Sequence, residues 1–306
     1  MQVDLQQKPK AFVVINPVAG VQQTETVREK IQSVLQAHEI PFEIYETTQE
    51  SNPRQKVREA LRQGFKLFLA AGGDGTLSSV AGGLVDTKIP LVLVPTGTWN
   101  ALARSLDIPL QIDQALELLF QEHAIRTIDV MQVKDEFYVL NVSAGLSSQT
   151  MGQVKREEKR RFGKLVDLWR GFLKIMEFPS YRFDVKIDGK PTTFRASEMM
   201  VANIKNLAVK SLQLDTEIHM DDGKLNVCRI YAKSLRDYLS LVISMLTGSQ
   251  DRNWHVLCME ASQEVEIRST RNLPVQGDGD VIGRLPVKIK IRPKAVSIVT
   301  PIGAEL

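Results

Sequence analysis

The chain has 306 residues, 43% hydrophobic and 25% charged, which is a globular composition and enough length for one large domain or two ordinary ones. A net charge of +3 supplies no global field to recruit nucleic acid. No window reaches the roughly 18 apolar residues of a membrane span, Tyr238 to Leu246 being the richest, so any membrane contact is expected to be peripheral.

In chain order, Met1 to Lys10 is polar and lacks the apolar core of a secretory signal. Ala11 to Ile15 reads as a buried strand ending in the turn Asn16-Pro17-Val18-Ala19-Gly20. Val27, Ile31, Val34 and Leu35 then recur at helical spacing. Phe42 to Tyr45 is a short strand followed by Thr47, and Pro53 to Arg62 a helix stopped by Gly64. The apolar run Leu67-Phe68-Leu69 leads into Gly72-Gly73-Asp74-Gly75-Thr76, after which Ser78 to Leu84 continues as a helix. Strand, glycine turn and helix start together suit a phosphate: the glycines bring no Cβ, and the first helical amides point at the anion. Asp74 would repel a bare phosphate, so a cation or an ordered water is expected between them. The competing reading is a tight turn between core elements. Pro90 to Pro95 is again a strand, with Thr96-Gly97-Thr98 as its turn. Alternating strands and helices predict a parallel sheet with the three turns on its carboxyl edge.

Beyond Asp129 the pattern changes to period two, as in Tyr181 to Ile187 before the hairpin signal Asp188-Gly189. Leu225 to Tyr231, Val265 to Arg268 and Val287 to Arg292 also read as strands, with helices at Phe162 to Glu177 and Leu235 to Leu246. The fold class expected is α/β plus all-β: an α/β domain over residues 1–130 and an antiparallel β domain over 131–294. Cys228 and Cys258 have no metal or scaffold spacing and read as two inert thiols in a reduced, cytoplasmic compartment. His38, His123, His219 and His255 show no catalytic or zinc pattern. Trp169, Phe172 and Met176 form one helical stripe and read as core.

Asn16-Pro17 with Gly20, Gly72-Gly73-Asp74-Gly75-Thr76, Pro95-Thr96-Gly97-Thr98 with Asn100, Asp221-Asp222-Gly223-Lys224-Leu225 and Asp278-Gly279-Asp280 follow one another in the order seen in the diacylglycerol kinase catalytic family. The chain resembles its soluble bacterial lipid kinases along nearly its whole length. The resemblance implies a nucleotide domain and a β-sandwich with the site in the cleft between them, and residues 295–306 returning to the first domain. It also implies ATP held by Asn16, Pro17, Val18, Ala19, Gly20, Thr47, Gly72, Gly73, Asp74, Gly75, Thr76 and Thr98, with Mg2+ as cofactor. Asp280 stands at the general-base position, where the family has glutamate. Asp222 with the carbonyls of His219 and Lys224 matches a structural magnesium site, and Asp74 and Asp129 match two acids of a water and magnesium network. The third acid of that network is Ala101 here, and Ser78-Ser79 replaces a frequent Asn-Glu. The implied partner is a lipid substrate, without nucleic acid, and a homodimer is compatible with it. Lys155 to Arg161, a solvated face on its own, becomes an anchor for an anionic membrane surface in that setting. Two other functions compete: an NAD kinase, which shares the glycine turn, and a nucleotide- or lipid-binding regulator with little catalysis.

Overall fold

The computed structural model describes residues 3–18, 24–145, 180–203, 219–231 and 256–304. Ala19, Gly20, the basic run 155–161, the two helices expected at 162–177 and 235–246, the stripe of Trp169, Phe172 and Met176, and His255 lie outside the described residues.

The first half alternates as expected: β1 (Ala11–Ile15), α1 (Thr24–Ala37), β2 (Phe42–Glu46), α2 (Pro53–Arg62), β3 (Leu67–Gly72), α3 (Asp74–Gly83), β4 (Leu91–Pro95), α4 (Ala101–Ser105) and α5 (Ile112–Glu117). The four strands are parallel in the order β2-β1-β3-β4. Every residue of β1, β3 and β4 is buried, which is why these strands are continuous apolar runs instead of alternating ones. Successive side chains take opposite faces. Val13, Leu69 and Val92 pack with Val27 and Ile31 of α1 and Ile112 of α5, whereas Val14, Ala70 and Leu93 pack with Val57 of α2 and Leu77 of α3. The start of α2 is set by Asn52, whose side chain accepts from the Gln55 amide at 3.1 Å, and by Pro53 in the first turn.

The second half is antiparallel: β5 (His123–Val133), β6 (Glu136–Tyr138), β7 (Asn141–Gly145), β8 (Tyr181–Ile187), β9 (Lys190–Ala196), β10 (Glu198–Ala202), β11 (Leu225–Ile230), β12 (Val256–Ala261), β13 (Glu264–Ser269), β14 (Pro274–Gly277), β15 (Asp280–Arg284) and β16 (Val287–Pro301). One sheet runs β12-β11-β10-β7-β14-β15. Facing it are β8, β13, β5 and the first part of β16, and the core between the two layers is built from Phe183, Val265 and Ile289 on one side and Val142, Val201 and Val227 on the other. Asp188 and Gly189, both at positive φ, make the expected two-residue turn between β8 and β9.

β16 belongs to both halves. Val287 to Lys290 pair with β13, and after a break in register between Arg292 and Val296, Ile298 pairs in parallel with Leu91 of β4. β5 runs along both stretches of it, so among the described residues one ten-stranded sheet joins the two halves.

One expectation is overturned. Cys228 and Cys258 are not free thiols: β11 and β12 place them directly opposite each other, with Cα atoms 4.0 Å apart, and the two are joined as a disulfide. Thirty residues separate them in sequence, so only the strand register brings them together. Cysteine usage therefore no longer argues for a reducing compartment.

Candidate active site

Three turns meet at the carboxyl edge of the parallel strands. Asn16, after β1, donates from Nδ2 to Thr76 Oγ1 at 2.9 Å and accepts the Val18 amide on Oδ1 at 3.0 Å, tying the first turn to the second. Thr96, after β4, donates its amide to the Gly72 carbonyl at 3.0 Å. A Cβ on Gly97 would lie 2.6 Å from Gly73 Cα, so these two turns touch backbone to backbone. Thr47, buried after β2, donates its amide to the Ile15 carbonyl at 2.8 Å and so sits beside the end of β1. Thr98 is exposed, as are Trp99 and Val18, the latter at 81%.

Helix α3 begins at Asp74 with Gly73 as its cap residue, and no side chain caps its first amides. Those amides and the positive end of the helix dipole face the junction of the three turns. Asp74 Oδ1 accepts the Leu102 amide at 3.1 Å, which fastens the start of α4 to the start of α3. Among the described residues no group of three or more His, Cys, Asp or Glu side chains could cage a metal ion. The donor set fits magnesium carried by a nucleotide, which needs only one or two carboxylates besides phosphate oxygens.

The fourth component comes from the other half. β14 and β15 form a hairpin whose two turn residues, Asp278 (φ 48°) and Gly279 (φ 88°), are left-handed. The Asp278 carbonyl oxygen lies 4.0 Å from where a Gly75 Cβ would be, so this hairpin abuts the glycine turn. Asp280, the first residue of β15, is exposed at that point. The Asp278 carboxylate turns inward. Its Oδ2 accepts from Ser78 Oγ and, at 2.8 Å, from the Val139 amide; its Oδ1 accepts the Leu140 and Asn141 amides, each at 2.9 Å. Burial nevertheless pushes this carboxyl above its ordinary range, against the pull of those donors. Beside it, Arg54 pairs with Glu136, donates to the Phe137 carbonyl at 2.6 Å and lies over the Tyr138 ring, 5.6 Å from its centre. Burial lowers the pKa of that guanidinium and raises that of the Tyr138 phenol.

Asp129 and Asp222 are joined through a loop of the second half. Asp129 is fully buried, and its two oxygens accept the amides of Gly223 and Lys294, both at 2.7 Å. Burial lifts its carboxyl above the ordinary range. It thus holds the Asp221-Asp222-Gly223 loop to the break in β16, an anchoring role that the sequence did not suggest. Asp222 Oδ1 accepts the Lys224 amide at 2.9 Å, and Lys224 pairs with Glu260 at 2.8 Å, while His219 opens the same loop. Sequence reasoning also missed Ser78 and Arg54. Ser78 carried a signal only as a departure from the family pattern, and Arg54 carried none within the helix read at Pro53 to Arg62.

Comparison with known proteins agrees with this architecture. Residues 10–133 match the diacylglycerol kinase catalytic domain, and residues 140–300 match the YegS C-terminal NAD kinase beta sandwich-like domain. A protein named diacylglycerol kinase from Bacillus subtilis (strain 168) is 24% identical over 299 residues, covering 95% of this chain and 96% of that one. An uncharacterized protein from Synechocystis is 27% identical over 305 residues, covering 95% of this chain and 70% of its own. The crystal structure of a diacylglycerol kinase from Bacillus anthracis superposes with a TM-score of 0.72 at 19% identity, over 96% of this chain and 98% of that one, a likeness of fold. With the catalytic and sandwich models following each other along one continuous fold, the chain belongs to the diacylglycerol kinase catalytic family, in the form that carries the YegS-type β-sandwich.

Proposed function

We propose that this protein is an ATP-dependent lipid kinase that transfers the γ-phosphate to a free hydroxyl of diacylglycerol or a related lipid. The observation that carries the reading is the meeting of the hairpin bearing Asp280 with the glycine turn at Gly75. A candidate base on one half of the molecule there abuts a candidate phosphate site on the other.

In this mechanism the amides at the start of α3 and the turns at Asn16 and Thr98 orient the phosphates. Asp74 would hold magnesium brought by the nucleotide, and that ion would supply neutralisation of charge on the phosphates. Asp280 accepts the proton of the lipid hydroxyl as the oxygen–phosphorus bond forms and the bond to the leaving ADP oxygen breaks. Aspartate reaches one methylene less far than glutamate, so Asp280→Glu is expected to retain or raise the rate. The family's names favour a lipid acceptor over NAD, and none of the NAD kinase substrate motifs is present in the sequence.

The test is transfer of labelled phosphate from ATP into a total lipid extract, resolved by thin-layer chromatography. Asp280→Asn should lose roughly 10²–10⁴-fold in rate while keeping its ATP affinity. A wild-type rate in that variant would remove Asp280 as the base, and absence of any labelled lipid with the wild-type protein would favour the regulatory reading.

A further inference from the structure

A side chain of α3 reaches the hairpin that bears Asp280, and it lies one helical turn beyond Asp74. Ser78 is buried within that helix, four residues after Asp74 and therefore on the same helical face. Its hydroxyl donates to Asp278 Oδ2 and accepts the Val139 amide at 3.3 Å. Asp278 and Gly279, both left-handed, form the turn that leads directly into Asp280, a conformation with little slack, so the seat of Asp278 fixes where Asp280 emerges. The other three donors to Asp278 are amides of the segment leading into β7, which pairs with β14 in the hairpin's own sheet. Ser78 is the donor that comes from the α/β half.

We infer that Ser78 is a positioning residue: through Asp278 it sets the reach of the Asp280 carboxylate from the same helix whose first amides would receive the phosphates. The inference rests on the kinase reading and extends it. This hydrogen bond links donor site and base across the cleft, so nucleotide bound at the start of α3 also steadies the hairpin. A serine suits this position because its short side chain can donate to the carboxylate and accept an amide at once.

Two measurements test it, on wild type, Ser78→Ala, Ser78→Cys, Asp280→Asn and the double variant Ser78→Ala/Asp280→Asn. In micelles containing 1,2-dioleoylglycerol with magnesium ATP, Ser78→Ala should lower kcat about tenfold with KM for ATP little changed, and Ser78→Cys, a weaker donor, should fall between. The loss should disappear in the Asp280→Asn background, since a residue acting through Asp280 has nothing left to position. Equal loss in both backgrounds, or a raised KM with kcat intact, would overturn the inference and leave the base assignment standing. Hydrogen exchange supplies the second measurement, independent of turnover. Magnesium ATP should slow exchange in residues 73–77 of every protein, but in residues 277–282 only where Ser78 is present. Protection at 73–77 that reaches 277–282 equally in Ser78→Ala overturns the coupling. Absence of protection at 73–77 overturns the nucleotide site and the inference together.

Discussion

The contact between Gly73 and Gly97 permits an asymmetric test of the site. An ideal Cβ on Gly97 would lie 2.6 Å from Gly73 Cα and 3.0 Å from Asn100 Oδ1. Carbon atoms rest about 3.5–4.0 Å apart, so Gly97→Ala places a methyl roughly 1 Å too close to a backbone that cannot rotate away. Overpacking of this kind costs about 1–3 kcal/mol, and in a chain of this size each kcal/mol lowers Tm by roughly 2–4 °C. The turns must separate to accept the methyl, and a misplacement of about 1 Å is enough to cost on the order of 10²-fold in a positioned reaction. In Gly73→Ala the corresponding distance, to Gly97 Cα, is 3.6 Å, an ordinary contact. That methyl leaves packing intact but projects at the cap of α3. Gly97→Ala should therefore lower both Tm and nucleotide affinity, whereas Gly73→Ala should keep the wild-type Tm and lose affinity alone. Scanning calorimetry and titration with magnesium ATP distinguish the two. If Gly97→Ala melts and binds like wild type, the close backbone approach of these turns does not build the site.

Asp74→Asn retains an oxygen for the Leu102 amide and loses the charge for magnesium, so unfolding should be unchanged and phosphate transfer lost; wild-type turnover would rule the role out. Asp222→Ala should lower Tm and reduce the added stability that magnesium confers, if the loop after His219 holds a structural cation; equal magnesium shifts in variant and wild type would exclude it. Asp129→Asn tests a pH effect. Burial raises the Asp129 carboxyl in the folded state, so its contribution favours folding at acidic pH and is lost as pH rises from about 4 through the raised folded value. The Tm advantage of wild type over Asp129→Asn should thus be widest at the acidic end and narrow toward neutrality. A gap that widened with pH would mean that the two amide donors outweigh burial.

What the sequence made legible was local. The runs at Ala11, Leu67 and Leu91 read as buried parallel strands because both of their faces are covered, and the Asp-Gly pairs at 188 and 278 sit in two-residue hairpins. The order of the turns then sufficed to place Asn16, Gly73 and Thr98 on one edge. Contacts set by distant register were not legible. Period two stops at Arg292, yet β16 continues to Pro301, because Lys294 at φ 49° only offsets the strand while Asp129 holds the offset from another element. The pairing of Cys228 with Cys258 and the seat of Asp278 against Ser78 depend likewise on which strand or helix lies opposite. Nothing local at residue 130 interrupts β5, which passes unbroken from Ile128 to Val133.

The sharing of β16 between the two halves has a consequence for how the protein is made. A nascent chain emerges from the ribosome with its first half leading, and β1 to β4 can associate once they are clear of the exit. The neighbour that covers the free edge of β4 is Ile298 and its strand, which leaves the ribosome roughly two hundred residues later, on the order of 10–40 s at ordinary rates of synthesis. For that interval Leu91 to Pro95, an apolar strand with unpaired amides and carbonyls, is open to any other strand, including the same one on an adjacent nascent chain. Chaperone demand during translation should accordingly fall with changes that shorten the wait or shield that edge, even where they leave the finished fold untouched.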